Sequence, residues 1–235
     1  FYNGSYESAA AHALALTTAN PNDLAAYELR TSALLFQLKR ALGEPTDQAK
    51  AFKECVPCQD LMTAFLAGTK QGQEVAREML KTNATDEYAL FFLGKLDLNY
   101  VWLQLGTVGK RTGWNEYWEA RKSLDTVLKA NPKHTRARVA RAWIDYIVDT
   151  KMTRGFRWIL GGGNKKKALA VVADAAATET DFFARTEAGF AIWDLHMRER
   201  HLPEAVKEAR LLARDFPENR ELVKFLAAND SASRP

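Results

Sequence analysis

The sequence predicts an all-α protein, and three observations carry that expectation. Apolar residues recur at three- and four-residue spacing along alanine-rich runs through nearly all of the 235 residues. Strand-type alternation of β-branched residues is almost absent. Four short Asn-, Asp- and Pro-containing junctions each follow one apolar run and precede another. Composition agrees: 47% apolar, 26% charged and 11% aromatic residues make a globular chain and exclude disorder. With 13 Gly, 7 Pro and 2 Cys it is neither collagen-like, nor low in complexity, nor framed by disulfides. The longest apolar stretch, residues 90–105, contains Lys95, Asp97 and Asn99, so it lacks the roughly 20 clean apolar residues of a bilayer span.

Taken in order, the junctions are Ala19-Asn20-Pro21-Asn22-Asp23, Thr82-Asn83-Ala84-Thr85-Asp86, Ala130-Asn131-Pro132-Lys133 and Asp215-Phe216-Pro217-Glu218-Asn219. Pro cannot continue the preceding helix but is tolerated at the start of the next, where Asn or Asp supplies a cap. Reading outward from them gives a half repeat at residues 4–20, then helix pairs. First helices are expected near 23–42, 86–106, 134–150 and 181–200, and second helices near 70–82, 115–130, 165–178 and 203–215. A last helix near 219–228 caps the stack, since an end repeat otherwise exposes its apolar face. Segments 43–69 and 151–164 are insertions, the second turning at Gly161-Gly162-Gly163. Residues 1–228 are expected to form one domain, followed by a flexible tail at 229–235.

Ala9, Ala120 and Ala205 each stand twelve residues before a junction proline, Pro21, Pro132 and Pro217. A small residue there lets a second helix sit close to the first, with Leu124, Val127 and Leu128 as the facing apolar stripe. Gly4 and Tyr6 precede Ala9, and Leu90, Leu93 and Gly94 follow the pattern of a first helix. On these residues the chain resembles the tetratricopeptide repeat (TPR) family, with junctions 63, 48 and 85 residues apart rather than the regular spacing of about 34. The resemblance implies an α-solenoid of antiparallel helix pairs with insertions and a C-terminal capping helix. The segment Trp158-Ile159-Leu160-Gly161-Gly162-Gly163, followed by a basic helix, is similar to bacterial envelope-associated repeat proteins, including repeat subunits that accompany the solute-binding proteins of some transporters.

Cys55-Val56-Pro57-Cys58 brings two thiols within reach of each other. Three readings stand: a structural disulfide, inert free thiols, or redox or metal chemistry; the last lacks the strand context of a thioredoxin site and two further zinc ligands. The histidines His12, His134, His196 and His201 form no i, i+4 pair, so no metal site is expected, and His196 and His201 read as solvated or capping. No nucleophile elbow, P-loop or dinucleotide fingerprint is present. The chain is expected to be no enzyme and to need no cofactor. Asp145 and Asp149 read as partners of Arg138, Arg141 or Lys151.

Net charge is +4, but residues 101–170 hold 15 Lys and Arg against 5 Asp and Glu. Lys110, Arg111, Arg136, Arg138, Arg141 and Lys165–Lys167 form either a solvated face or a patch for an acidic partner. Arg154, Phe156, Arg157 and Trp158 interleave charge and rings, but Ile159 and Leu160 predict burial of that segment rather than base stacking, so nucleic acid is not expected. Membrane contact is peripheral at most.

In a TPR array the first helices line a concave groove. The resemblance therefore places Tyr88, Phe91, Lys95 and Asn99 of one repeat beside Arg136, Val139, Trp143 and Tyr146 of the next. Rings with donors suit a peptide, a partner protein or a small solute; the alternative is that the stripe is core. Trp102, Trp114, Tyr117 and Trp118 are expected in the core. The functional expectation is a binding scaffold. The alternatives are an envelope accessory protein docking an acidic partner through its basic segment, and a thiol-redox protein using Cys55 and Cys58. The chain begins at Phe1 without an initiator Met, which fits a mature periplasmic or envelope chain after signal removal and leaves the cytoplasm open.

Overall fold

The computed structural model describes residues 1–43, 45–109 and 112–229, without the side chains of Arg154 and Phe156. All regular structure among them is helical: α1 Tyr6–Ala19, α2 Leu24–Leu42, α3 Gln48–Glu54, α4 Cys58–Thr82, α5 Glu87–Trp102, α6 Trp114–Ala130, α7 Thr135–Lys151, α8 Arg154–Ile159, α9 Lys165–Thr178, α10 Phe182–Glu199, α11 Leu202–Asp215 and α12 Arg220–Asn229. A π-turn, Leu103–Thr107, extends α5. Most helices lie where the apolar spacing puts them. The helix expected near 70–82, however, begins at Cys58, so much of segment 43–69 is helical. Gly68 and Gly72 do not break it, because both are buried where α4 meets its neighbours. Of the expected tail, Asn229 ends α12, and residues 230–235 lie outside the described residues.

The chain divides into two compact units, one holding Phe1 and Ser5–Val127, the other Tyr2–Gly4 and Leu128–Pro235. In the first, α2 packs against α1, α4 and α5. A Cβ on Gly72 would stand 2.8 Å from Leu96 Cδ1 and 2.9 Å from Tyr27 Cβ, so three helices converge at a residue without a side chain. Leu34, Leu38, Phe65 and Leu103 fill the core around Tyr6. Gly94 of α5 similarly admits Leu124 of α6. Tyr117 is buried, and Trp102 packs against the core partly buried. Trp114 and Trp118 are not core as expected: at 40% and 43% exposure they share the outer face of α6, one turn apart, and only their edges meet the Tyr117 ring.

In the second unit, α7, α9 and α10 pack around Val139, Val172, Ile192 and Leu195. Leu212, Phe216 and Leu222 join α11 and α12 to Phe190 and Trp193 of α10. Tyr2 stacks on Phe190 at 5.0 Å, and its carbonyl accepts from Asn219 Nδ2 at 2.7 Å.

One local arrangement recurs. Asp23, Asp86, His134 and Asp181 each cap a helix by accepting from the N–H three residues on, and that residue is in every case a buried alanine: Ala26, Ala89, Ala137 and Ala184. Eight residues past each cap lies a buried small residue, Thr31, Gly94, Ala142 or Gly189. The turns repeat too: the N–H of Asp23, Asp86, His134 and Asn219 donates at 3.1 Å to the carbonyl three residues earlier. Asp181 stands within the longest gap between the junctions read from sequence, where no Asn or Pro marks the turn.

Candidate binding surface

Tyr88, Phe91, Lys95 and Asn99 lie on one stripe of α5, and that stripe faces α2. Tyr88 Oη accepts from Ala25 N–H at 3.3 Å, Lys95 Nζ lies 3.6 Å from Glu28 Oε1, and Asn99 Nδ2 donates to Thr31 Oγ1 and Ser32 Oγ at 3.0 Å. Partners advance together along both helices, so α2 and α5 run parallel. Phe91 and Asn99 are buried, and the Phe91 ring meets Phe92 at 4.9 Å. Tyr88 alone of the four is exposed, at 42%.

The second set lies on α7 and faces α10. Arg136 Nε donates to Glu187 Oε2 at 2.6 Å, and the Tyr146 hydroxyl donates to Glu199 Oε1 at 2.9 Å, so these first helices also run parallel. Val139 and Tyr146 are buried. Trp143 is partly buried, edge-on to Tyr146 at 5.7 Å, with the Arg198 guanidinium 5.5 Å from its ring. Burial, and then the bond to Glu199, hold the Tyr146 phenol above its ordinary range. Lys165 Nζ donates to Glu199 Oε2 at 2.6 Å and is the main cause that lowers this carboxyl, aided by Tyr146. In both units, then, the expected groove residues fasten α2 to α5 and α7 to α10; Tyr88 is exposed, Lys95, Arg136 and Trp143 are partly buried, and Phe91, Asn99, Val139 and Tyr146 are buried.

The sequence reading gave no role to Asp97. It is fully buried, accepts from Gln73 Nε2 at 2.7 Å through Oδ1, and leaves Oδ2 without a partner among the described residues. Burial first, and the charge of Glu119 second, push its carboxyl up to about 9, so it carries a proton at neutral pH. The signal was an acid flanked by Leu96 and Leu98 within an apolar run. Tyr27 Oη and Thr69 Oγ1, on α2 and α4, are likewise buried without partners among the described residues.

Cys55 and Cys58 are joined in a disulfide at the start of α4, with Cα atoms 5.4 Å apart. Among the described residues no group of three or more His, Cys, Asp or Glu could hold a metal ion, and no helix is long and apolar enough to cross a membrane. His134 caps α7, whereas His201 opens α11 without a side-chain cap bond, its Nδ1 3.5 Å from that of His196.

Much of the basic segment is neutralised within the chain. Arg136 pairs with Glu187, Arg138 with Asp174 and Arg141 with Asp145. Asp149 pairs with Arg157 rather than with Arg138, Arg141 or Lys151, because the turn after α7 brings α8 back over it. Lys110 and Arg111 lie outside the described residues, as do the side chains of Arg154 and Phe156. The expected burial of the segment after Arg157 fails at two positions: Trp158 is 85% and Ile159 57% exposed, and only Leu160 reaches the core before the glycines turn the chain.

No protein-family model, curated protein or solved structure matches the chain.

Proposed function

We propose that the protein is a non-enzymatic, TPR-like scaffold: a solenoid of antiparallel helix pairs that binds a partner protein or peptide along its first helices. The observation that carries this reading is the fourfold register of cap, buried alanine and buried small residue on α2, α5, α7 and α10. Such a register is how a repeat array stacks like helices side by side. The parallel pairs α2–α5 and α7–α10 support it within each unit. Tyr88, Arg136 and Trp143 are assigned to partner contact, because rigid rings and a guanidinium give contact area and orientation at little entropic loss. Phe91, Lys95, Asn99 and Tyr146 hold the stripe that presents them. The Cys55–Cys58 bond supports an oxidising compartment such as a bacterial periplasm.

The test is affinity capture with immobilised wild type and with a Tyr88→Ala, Arg136→Ala, Trp143→Ala variant shown to be folded by circular dichroism. A partner held by wild type and released by the variant is the expected result. Equal retention by both moves the contact off the first helices and overturns the assignment.

A further inference from the structure

Between Asp149 and Asp174 the chain carries six Lys and Arg and no Asp or Glu. At the centre of this run α8 exposes a Trp and an Ile side by side, at 85% and 57%. Leaving two large apolar side chains in water is unfavourable relative to burial, so their pairing at one tip calls for something that covers them.

The tip is held in place. Asp149 accepts from Arg157 Nη1 at 2.5 Å and from the Lys165 N–H at 2.9 Å, tying α8 and the start of α9 to the end of α7. Gly163 lies so close to α7 that a Cβ there would fall 2.6 Å from Asp145 O and from Asp149 N. Trp158 and Ile159 are thus presented on a short, anchored projection. Its cations with described side chains are of two kinds. Arg157 and Lys165 are matched by Asp149 and Glu199, whereas Lys151, Lys166 and Lys167 are exposed and enter no ion pair among the described residues. Lys165, Lys166 and Lys167 also occupy the first turn of α9, where the helix dipole already disfavours positive charge. An anionic surface would relieve this.

We infer that the α8–α9 projection is a peripheral membrane contact that sets Trp158 and Ile159 into the headgroup layer of an anionic bilayer, with Lys151, Lys166 and Lys167 on its phosphates. Trp is suited to that layer, its ring apolar and its N–H wet. Area decides against a protein partner. Two side chains fall far short of the about 800 Å² per partner that a stable protein interface needs, yet a small apolar insertion with a few cations suffices for reversible lipid binding. The contact is independent of the partner surface on the first helices.

The experiment is co-sedimentation of the full chain with phosphatidylglycerol-containing vesicles and with pure phosphatidylcholine vesicles, alongside size-exclusion chromatography with light scattering. Variants are Trp158→Ala with Ile159→Ser, and Lys166→Gln with Lys167→Gln; all four side chains are exposed, so both should fold. Wild type should sediment with the anionic vesicles only, release in high salt, and lose about tenfold or more in binding in either variant. Absence of binding to anionic vesicles, or undiminished binding by the apolar variant, overturns the inference. So does a wild-type dimer that the apolar variant dissolves, since a second copy would then be what covers the tip.

Discussion

Gln73 Nε2 donates to Asp97 Oδ1 at 2.7 Å in the interior of the first unit, and the other Asp97 oxygen has no partner among the described residues. With its carboxyl raised to about 9 from 3.8, the folded chain keeps a proton that the unfolded chain releases. Stability therefore falls as pH rises between those two values, by at most about 1.4 kcal/mol per pH unit from this group. Asp97→Asn keeps the acceptor for Gln73 and removes the titration. In urea unfolding the variant should match wild type near pH 4 and exceed it by a margin that widens toward pH 9; parallel curves would contradict the buried acid.

Gly72 and Gly94 should respond differently to the same substitution. Alanine at 72 meets Tyr27 Cβ, which is fixed to the backbone, at 2.9 Å. Alanine at 94 meets the Leu124 side chain at 3.0 Å and backbone, the Ala120 carbonyl, only at 3.4 Å, so a smaller shift accommodates it. Gly72→Ala is expected to destabilise by about 1–3 kcal/mol, whereas at 94 helix propensity returns up to about 1 kcal/mol and the change is near neutral. Thermal unfolding of the two variants decides.

Asn99 and Tyr88 share a stripe of α5 but should separate stability from binding. Asn99→Ala strips both Thr31 and Ser32 of a buried donor and should cost about 1–3 kcal/mol, with partner capture retained at temperatures where the variant is folded. Tyr88→Ala removes a half-exposed ring and the acceptor of the Ala25 N–H, and should cost less stability than Asn99→Ala while weakening capture. The reverse pattern would show that the stripe has been divided wrongly.

Glu199 sets an acid limit on the second unit. Its carboxyl is held below the usual 4.5, chiefly by Lys165, so its contribution is present above that value and is lost as pH falls through the lowered one. Glu199→Gln should destabilise by about 1 kcal/mol at pH 7, a modest figure because Lys165 is well exposed, and by nothing at low pH. Chemical denaturation at the two pH values measures this.

Helices were legible in the sequence wherever a junction residue announced itself. Asp23, Asp86 and Asn219 stand within three residues of an Asn or Pro, and their caps lie where composition suggests. Asp181 has neither neighbour, yet apolar spacing places a helix near 181–200, and its cap bond and the buried Ala184 mark it as equivalent to the others. The start of α4 lies inside the segment read as an insertion, where no Asn- or Pro-containing junction marks it, and Gly72, a residue type that ordinarily signals a break, serves close approach instead. For the candidate site, periodicity identified the stripes of α5 and α7 but not what they face. Whether a ring at helical spacing looks at water or at another helix depends on residues far along the chain, as with Asn99 and Thr31, 68 positions apart.

The seat of Tyr2 has a consequence for the order of assembly. Its carbonyl is bound by Asn219, 217 residues later, and its ring by Phe190 and Phe216. Every interhelix turn described above closes over a few residues and can form as soon as it emerges during synthesis. Tyr2 is made long before its pocket, which does not exist until α10, α11 and the turn before α12 have left the ribosome. The earliest residues of the second unit must therefore wait, unseated, for the last.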